Sequence, residues 1–193
     1  MLCYGARMPL DRRHFGLFTL LLAADPLCAQ GTDPLVERLL AGRCAVLMRH
    51  AQTDVGVGDP PGFRLDQCAT QRNLSEGGRA QARAAGVWFR QRKLEPSAVL
   101  CSAWCRCIDT ATLAFGRHEL WPALNSSFGR GDERDKARPM LQERLARIGP
   151  GRFEVWVTHQ VNISTFTGEP TSMGEGLVVD SAGQVVGRSG FAA

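Results

Sequence analysis

Four short apolar runs punctuate a largely polar chain. Cys44-Ala45-Val46-Leu47 ends at Met48-Arg49-His50, Ala98-Val99-Leu100-Cys101 ends at Ser102, and Phe153 to Thr158 ends at His159. Runs of four to six apolar, partly β-branched residues predict buried strands. The fourth run, Gly176 to Asp180, is followed by Gln184 to Val186 across Ala182-Gly183, which predicts a terminal hairpin. Between the strands the apolar period lengthens towards that of a helix. Leu35, Val36, Leu39 and Leu40 mark one face of a short helix over 33–41, stopped by Gly42. Ser75 caps a helix running to about Lys93, with Ala82, Ala85, Gly86 and Phe89 on one face. A further helix runs from Asp109 to Phe115 after Arg106, and another spans Pro139 to Ile148 with Leu141, Leu145 and Ile148 inward. The segments Val55 to Asp66 and Trp121 to Arg138 read as loops, and Gly187 to Ala193 as a frayed tail. Strands alternating with helices predict an α/β fold of three layers, a mostly parallel sheet flanked by helices.

Ligands of open α/β sheets bind outside the carboxyl ends of the strands. Three of the predicted strands bring polar residues to that end: Arg49 and His50, Ser102 with Arg106 beyond it, and His159. Guanidinium forks suit an anion, and an imidazole suits nucleophilic or acid–base work.

At 193 residues the chain is long enough for one sizeable core. The formal net charge of +4 is mild, and no basic stripe with interleaved aromatics calls for nucleic acid. Arg12-Arg13 precede an apolar run from Phe15 to Ala24 and a small residue, Ala29. That order predicts a signal segment over 1–29, which also resembles the twin-arginine kind, a mature domain over 30–193, and a periplasmic or secreted protein. The apolar run is too short to span a bilayer. Export makes a disulfide permissible, and Cys68 can pair with Cys105 or with Cys107. The Cys105-Arg106-Cys107 spacing does not suit zinc, and no metal or other cofactor is called for.

The motifs and their order resemble the histidine phosphatase superfamily, with its phosphoglycerate-mutase-like fold. The stretches concerned are Arg49-His50-Ala51-Gln52-Thr53, Leu74-Ser75-Glu76-Gly77-Gly78-Arg79-Ala80-Gln81-Ala82, the set Ser102, Arg106, Thr110 and Ala111, and Thr158-His159. The resemblance implies that His50 is a nucleophile forming a phosphohistidine, with Arg49, Arg106 and His159 binding the phosphoryl group. Thr53, Gln52 and Arg72 are candidate substrate-binding residues.

The chain also departs from the family. Ala51 replaces the usual Gly. Leu124-Asn125 is followed by Ser126-Ser127 where the mutase branch has a Glu proton donor, and His159 is followed by Gln160 where the acid-phosphatase branch has Asp. Asp132 and Glu133 are the nearest loop carboxylates to consider in their place. The pattern therefore resembles small phosphohistidine phosphatases more than sugar-phosphate mutases. The expected substrate is a phosphorylated small molecule or a phosphoprotein. The alternatives are a phosphate-binding protein with little turnover, and a phosphatase of envelope lipopolysaccharide sugars.

Overall fold

The structure, a computed structural model, describes residues 33–54, 56 and 58–192. The expected signal segment lies outside them. Six strands form one sheet: β1 (Cys44–Arg49), β2 (Ala98–Cys101), β3 (Glu119–Leu120), β4 (Phe153–Thr158), β5 (Gly176–Asp180) and β6 (Val185–Ser189). Their order is β3-β2-β4-β1-β5-β6. The pairs β3–β2, β2–β4 and β4–β1 are parallel, and the closing hairpin is antiparallel. The central strands are buried on both faces, so they read as continuous apolar runs rather than as alternating ones.

Helices cover both faces. On one lie α1 (Pro34–Ala41), α2 (Glu76–Gln91) and α3 (Cys105–Phe115), packed through Leu39, Trp88, Phe89 and Ala111 on Val46, Met48, Val155 and Val157. On the other lie α4 (Gly131–Ala146) and α5 (Gln160–Thr167), packed through Leu141, Leu145, Ile163 and Phe166 on Leu47, Trp156 and Leu177. Asp33 caps α1 by accepting from the Leu35 amide, and Ser75 caps α2 by accepting from the Gly78 amide. Among the described residues no helix is long and apolar enough to cross a membrane.

Three expectations are corrected. The stretch read as a loop up to Arg138 is helical from Gly131, and Pro139 lies inside α4 rather than at its start. Residues 131–138 are mostly polar, with only Ala137 packed on the core, so they carry no apolar period. Proline removes one hydrogen bond from an exposed part of the helix, where water can satisfy the freed carbonyl. The tail does not fray at Gly187: β6 continues to Ser189, and Phe191 is buried against Trp88 and Phe89. Helix α5 was not anticipated, because its Ser, Thr and Asn residues are weak helix formers; Ile163 and Phe166 hold it in place by packing.

Two glycines allow α2 to sit where it does. A Cβ at Gly78 would lie 1.8 Å from the carbonyl oxygen of Gln52, and one at Gly86 would lie 2.1 Å from that of Ala114. The first contact ties α2 to the loop after β1, and the second seats α2 on α3. The Cys68–Cys105 disulfide closes a loop across a sequence separation of 37. It fastens the segment before Arg72 to the first residue of α3, and a closed loop of that length contributes about 4 kcal/mol. Of the two possible partners, Cys107 remains a thiol, fully buried beside Thr158 and His159.

Candidate active site

The parallel strands end together, and their ends place the polar residues. Arg49 is the last residue of β1 and lies in register with Thr158 of β4, so His50 and His159 emerge side by side. Their ring centroids are 5.6 Å apart. Ser102 leaves β2 beside them, its hydroxyl 2.8 Å from His159 Nε2. Arg106 enters from the first turn of α3. Thr110, one turn further on, donates to the Arg106 carbonyl, and its hydroxyl accepts from the Ala51 amide at 3.0 Å. The four-residue spacing from Arg106 to Thr110 thus joins the helix to the His50 loop.

His50 Nδ1 lies 2.9 Å from the Ala51 carbonyl. A carbonyl only accepts, so Nδ1 carries the proton and Nε2 keeps its lone pair. Nε2 has no protein hydrogen-bond partner among the described residues. Ala51 itself is buried, its methyl packed with Leu74 and Ala82.

Arg49, Arg72 and Arg106 share one feature: each has a buried Nε without a hydrogen-bond partner. Each is held by other atoms. Arg49 Nη1 donates to the Thr171 carbonyl at 2.7 Å and to Gln160 Oε1 at 3.1 Å. Arg72 Nη1 donates to Thr53 Oγ1 and to the Gly56 carbonyl, both at 2.9 Å. Arg106 Nη1 donates to Asp59 Oδ1 at 2.7 Å. Buried donors in proteins are nearly always satisfied. Three guanidinium N–H groups left unpaired around two imidazoles mark a place for a polyanion.

The positive charge acts on both rings. Burial pushes His50 down to about 3 against the pull of the Ala51 carbonyl, and the nearby Arg106, Arg49 and Arg72 push it further the same way. Burial, followed by Arg106, holds His159 well below the usual histidine range. The folded protein therefore keeps His50 neutral, whereas the unfolded chain protonates it near pH 6.5. Below that pH the unfolded state takes up more protons than the folded one. Stability is thus expected to be complete above about pH 7 and to fall by about 2 kcal/mol between pH 7 and pH 5 from His50 alone. Urea unfolding at these pH values checks this, and inorganic phosphate should offset the loss by favouring the charged ring. A His50 NMR titration near pH 6.5 would contradict it.

The remaining candidates divide. Thr53 is buried and joins the site through Arg72. Gln52 is exposed; its carbonyl accepts from the Ser75 amide, its own amide donates to Gln81 Oε1, and its side-chain oxygen lies near Gly77, which places it over the start of α2. Asp132 and Glu133 are exposed on the first turn of α4, with Glu133 paired to Arg130. Ser127 is bound to Asn162, and Gln160 anchors Arg49.

Sequence reasoning missed Asp59, a buried carboxylate in the Gly- and Pro-rich loop that follows Thr53. Burial would raise its pKa, but hydrogen bonds from Arg106 and from the Arg72 amide lower it overall. It is held ionised and accepts hydrogen bonds, so it has no proton to donate. Nothing in the apolar pattern singled it out from other loop carboxylates. Asn125 was likewise missed as a contact; its Oδ1 accepts from the Ala103 amide at 2.9 Å. Among the described residues no group of His, Cys, Asp and Glu gathers as a metal-ligand set.

The family described as the histidine phosphatase superfamily (branch 1) matches residues 45–138. No curated protein sequence matches significantly. Among solved structures, the chain is similar to the putative phosphohistidine phosphatase SixA from Agrobacterium tumefaciens, at 18% identity and TM-score 0.54, covering 76% of this chain and 97% of that one. It is also similar to mycobacterial hydrolase 1, at 21% identity and TM-score 0.54, covering 72% and 90%. A mycobacterial glucosyl-3-phosphoglycerate phosphatase matches at 20% identity and TM-score 0.52, covering 77% and 96%. At these identities the structural likeness concerns the fold.

Proposed function

We propose, on the premise that the chain belongs to the histidine phosphatase superfamily, that this phosphatase hydrolyses a phosphate monoester or phosphohistidine through a covalent intermediate on His50. The observation that carries the reading is the set of three buried, unpaired guanidinium Nε groups around the His50–His159 pair. A phosphate monoester brings close to two negative charges and several acceptor oxygens. Arg49, Arg72 and Arg106 bind those oxygens and stabilise the charge that spreads over them during transfer.

His50 Nε2 forms a bond to phosphorus as the bond to the leaving group breaks, and that group departs with the electron pair. Nδ1 stays bonded to Ala51, so the ring is oriented throughout. Water then attacks the phosphohistidine in line, returning neutral His50 and inorganic phosphate. The absence of a carboxylic acid at Ser126 and at Gln160 favours substrates whose leaving group needs no proton, such as phosphohistidine or an acidic phosphate. Incubating the purified protein with an aryl phosphate, and separately with a phosphohistidine peptide, tests the reading by release of inorganic phosphate. No release from either would end it.

The same proposal places the protein outside the cytoplasm. Arg12-Arg13, the apolar run and Ala29 support export, and the Cys68–Cys105 disulfide suits an oxidising compartment. N-terminal sequencing from a fractionated bacterial host is expected to find a mature chain starting near Gln30 outside the cytoplasm. An uncleaved cytoplasmic protein would refute this.

A further inference from the structure

The loop after Thr53 carries a carboxylate into the arginine cluster. Asp59 Oδ1 accepts from Arg106 Nη1 at 2.7 Å and from the Arg72 backbone amide at 3.0 Å. Its Oδ2 accepts from Trp104 Nε1 at 3.0 Å. The Arg106 and Asp59 side chains are only 5% and 7% exposed. Taking two charges out of water is costly, so a buried pair is weak evidence for stability alone. Its placement has two consequences for chemistry. First, Arg106 is pinned by its outer nitrogen, which leaves its Nε free in one orientation. The same carboxylate fixes Trp104, whose ring meets His159 edge-on at a centroid distance of 5.2 Å. Second, one carboxylate against three guanidiniums brings the site to a net charge of two positive, the match for a dianionic phosphoryl group.

We propose that Asp59 is a positioning residue that aims Arg106 at the phosphoryl group and sets the charge of the site so that product phosphate is released. The inference rests on the phosphatase reading above and concerns how the site is tuned. Phosphate and Asp59 share Arg106, so the carboxylate weakens the hold on every bound anion. Without it the site would retain the inorganic phosphate it produces.

Two variants separate the roles. Asp59→Asn keeps an oxygen to accept from Arg106 and Arg72 but removes the charge and the acceptor of Trp104 Nε1. Asp59→Ala removes both. Inorganic phosphate binding by calorimetry and aryl phosphate kinetics are measured on the wild type and both variants, each checked by thermal melting. Asp59→Asn is expected to bind phosphate about tenfold more tightly, as removal of one nearby like charge allows, and to turn over more slowly because release is retarded. Asp59→Ala is expected to lose at least about a hundredfold in kcat/KM as Arg106 loses its orientation.

A residue that merely clipped the loop down would give the opposite sign, with weaker phosphate binding in Asp59→Asn. That result, or unchanged binding, overturns the charge role. Wild-type kcat/KM in Asp59→Ala overturns the positioning role. If Asp59→Ala fails to fold, Asp59→Ser replaces it as the test of positioning, with wild-type kcat/KM again the overturning result, and Asp59→Asn still decides the charge role. A wild type that binds phosphate but hydrolyses no ester would defeat the phosphatase reading, while the phosphate titrations would still judge the charge role of Asp59.

Discussion

His50→Ala is expected to lose turnover by a factor on the order of 10⁴ or more while still binding inorganic phosphate. The substitution removes the nucleophilic Nε2 and leaves the anion-binding groups in place. Arg49 stays anchored by Thr171 and Gln160, Arg72 by Thr53, and Arg106 by Asp59. Phosphate affinity should therefore fall only modestly. Steady-state kinetics with an aryl phosphate and calorimetry with phosphate separate the two effects. Wild-type turnover in the variant would show that the ring is not the nucleophile. Complete loss of phosphate binding would show that the arginines do not form the site without it.

The second large effect concerns the leaving group. Activity is expected to fall steeply as leaving-group pKa rises, because no positioned acid supplies the departing oxygen with a proton. General-acid help is worth roughly 10² to 10⁴ in rate, and that factor should be missing for alkyl phosphates after correction for intrinsic reactivity. The structure sharpens the reason. Gln160 accepts from Arg49 and Thr171, so the second usual donor position is occupied by an arginine anchor. Asp59 is held ionised by Arg106. Asp132 and Glu133 lie exposed on α4. Ser126→Glu should narrow the gap between aryl and alkyl phosphates if its carboxyl reaches the leaving oxygen. A flat dependence in the wild type would point to a donor elsewhere, with Asp132→Asn and Glu133→Gln the first variants to examine.

The parts of the site borne by buried parallel strands were legible in the sequence. A strand covered on both faces is mostly apolar, so polar residues at its carboxyl end are conspicuous; Arg49-His50, Ser102 and His159 all stand there. Arg106 and Thr110 were legible through the resemblance of their spacing from Ser102 to a family motif, and the helix that joins them begins earlier than expected, at Cys105. What lay hidden was whatever depends on contacts distant in the chain. Asp59 sits in an irregular loop, and its role arises only when that loop meets Arg106, 47 residues away. Gln160 looked like the replacement of an acid and is instead the support of Arg49. The choice of Cys105 over Cys107 for Cys68 follows from which thiol meets the segment that carries Cys68; both are buried, but Cys107 lies against Thr158 and His159 instead. In the fold, the start of α4 was masked by a helix turn with no apolar face, and Phe191 by its position near the end of the chain.

The most direct test of the account is to trap the intermediate. The protein is mixed with an aryl phosphate, quenched in alkali within the first turnovers, and digested for mass spectrometry. Alkali preserves phosphohistidine, and the account predicts one phosphoryl group on the peptide containing His50, lost on acid treatment and absent from His50→Ala. A phosphoryl group on another residue, or aryl phosphate hydrolysis whose first turnover leaves no label on His50 under conditions where dephosphorylation is slow, would contradict it.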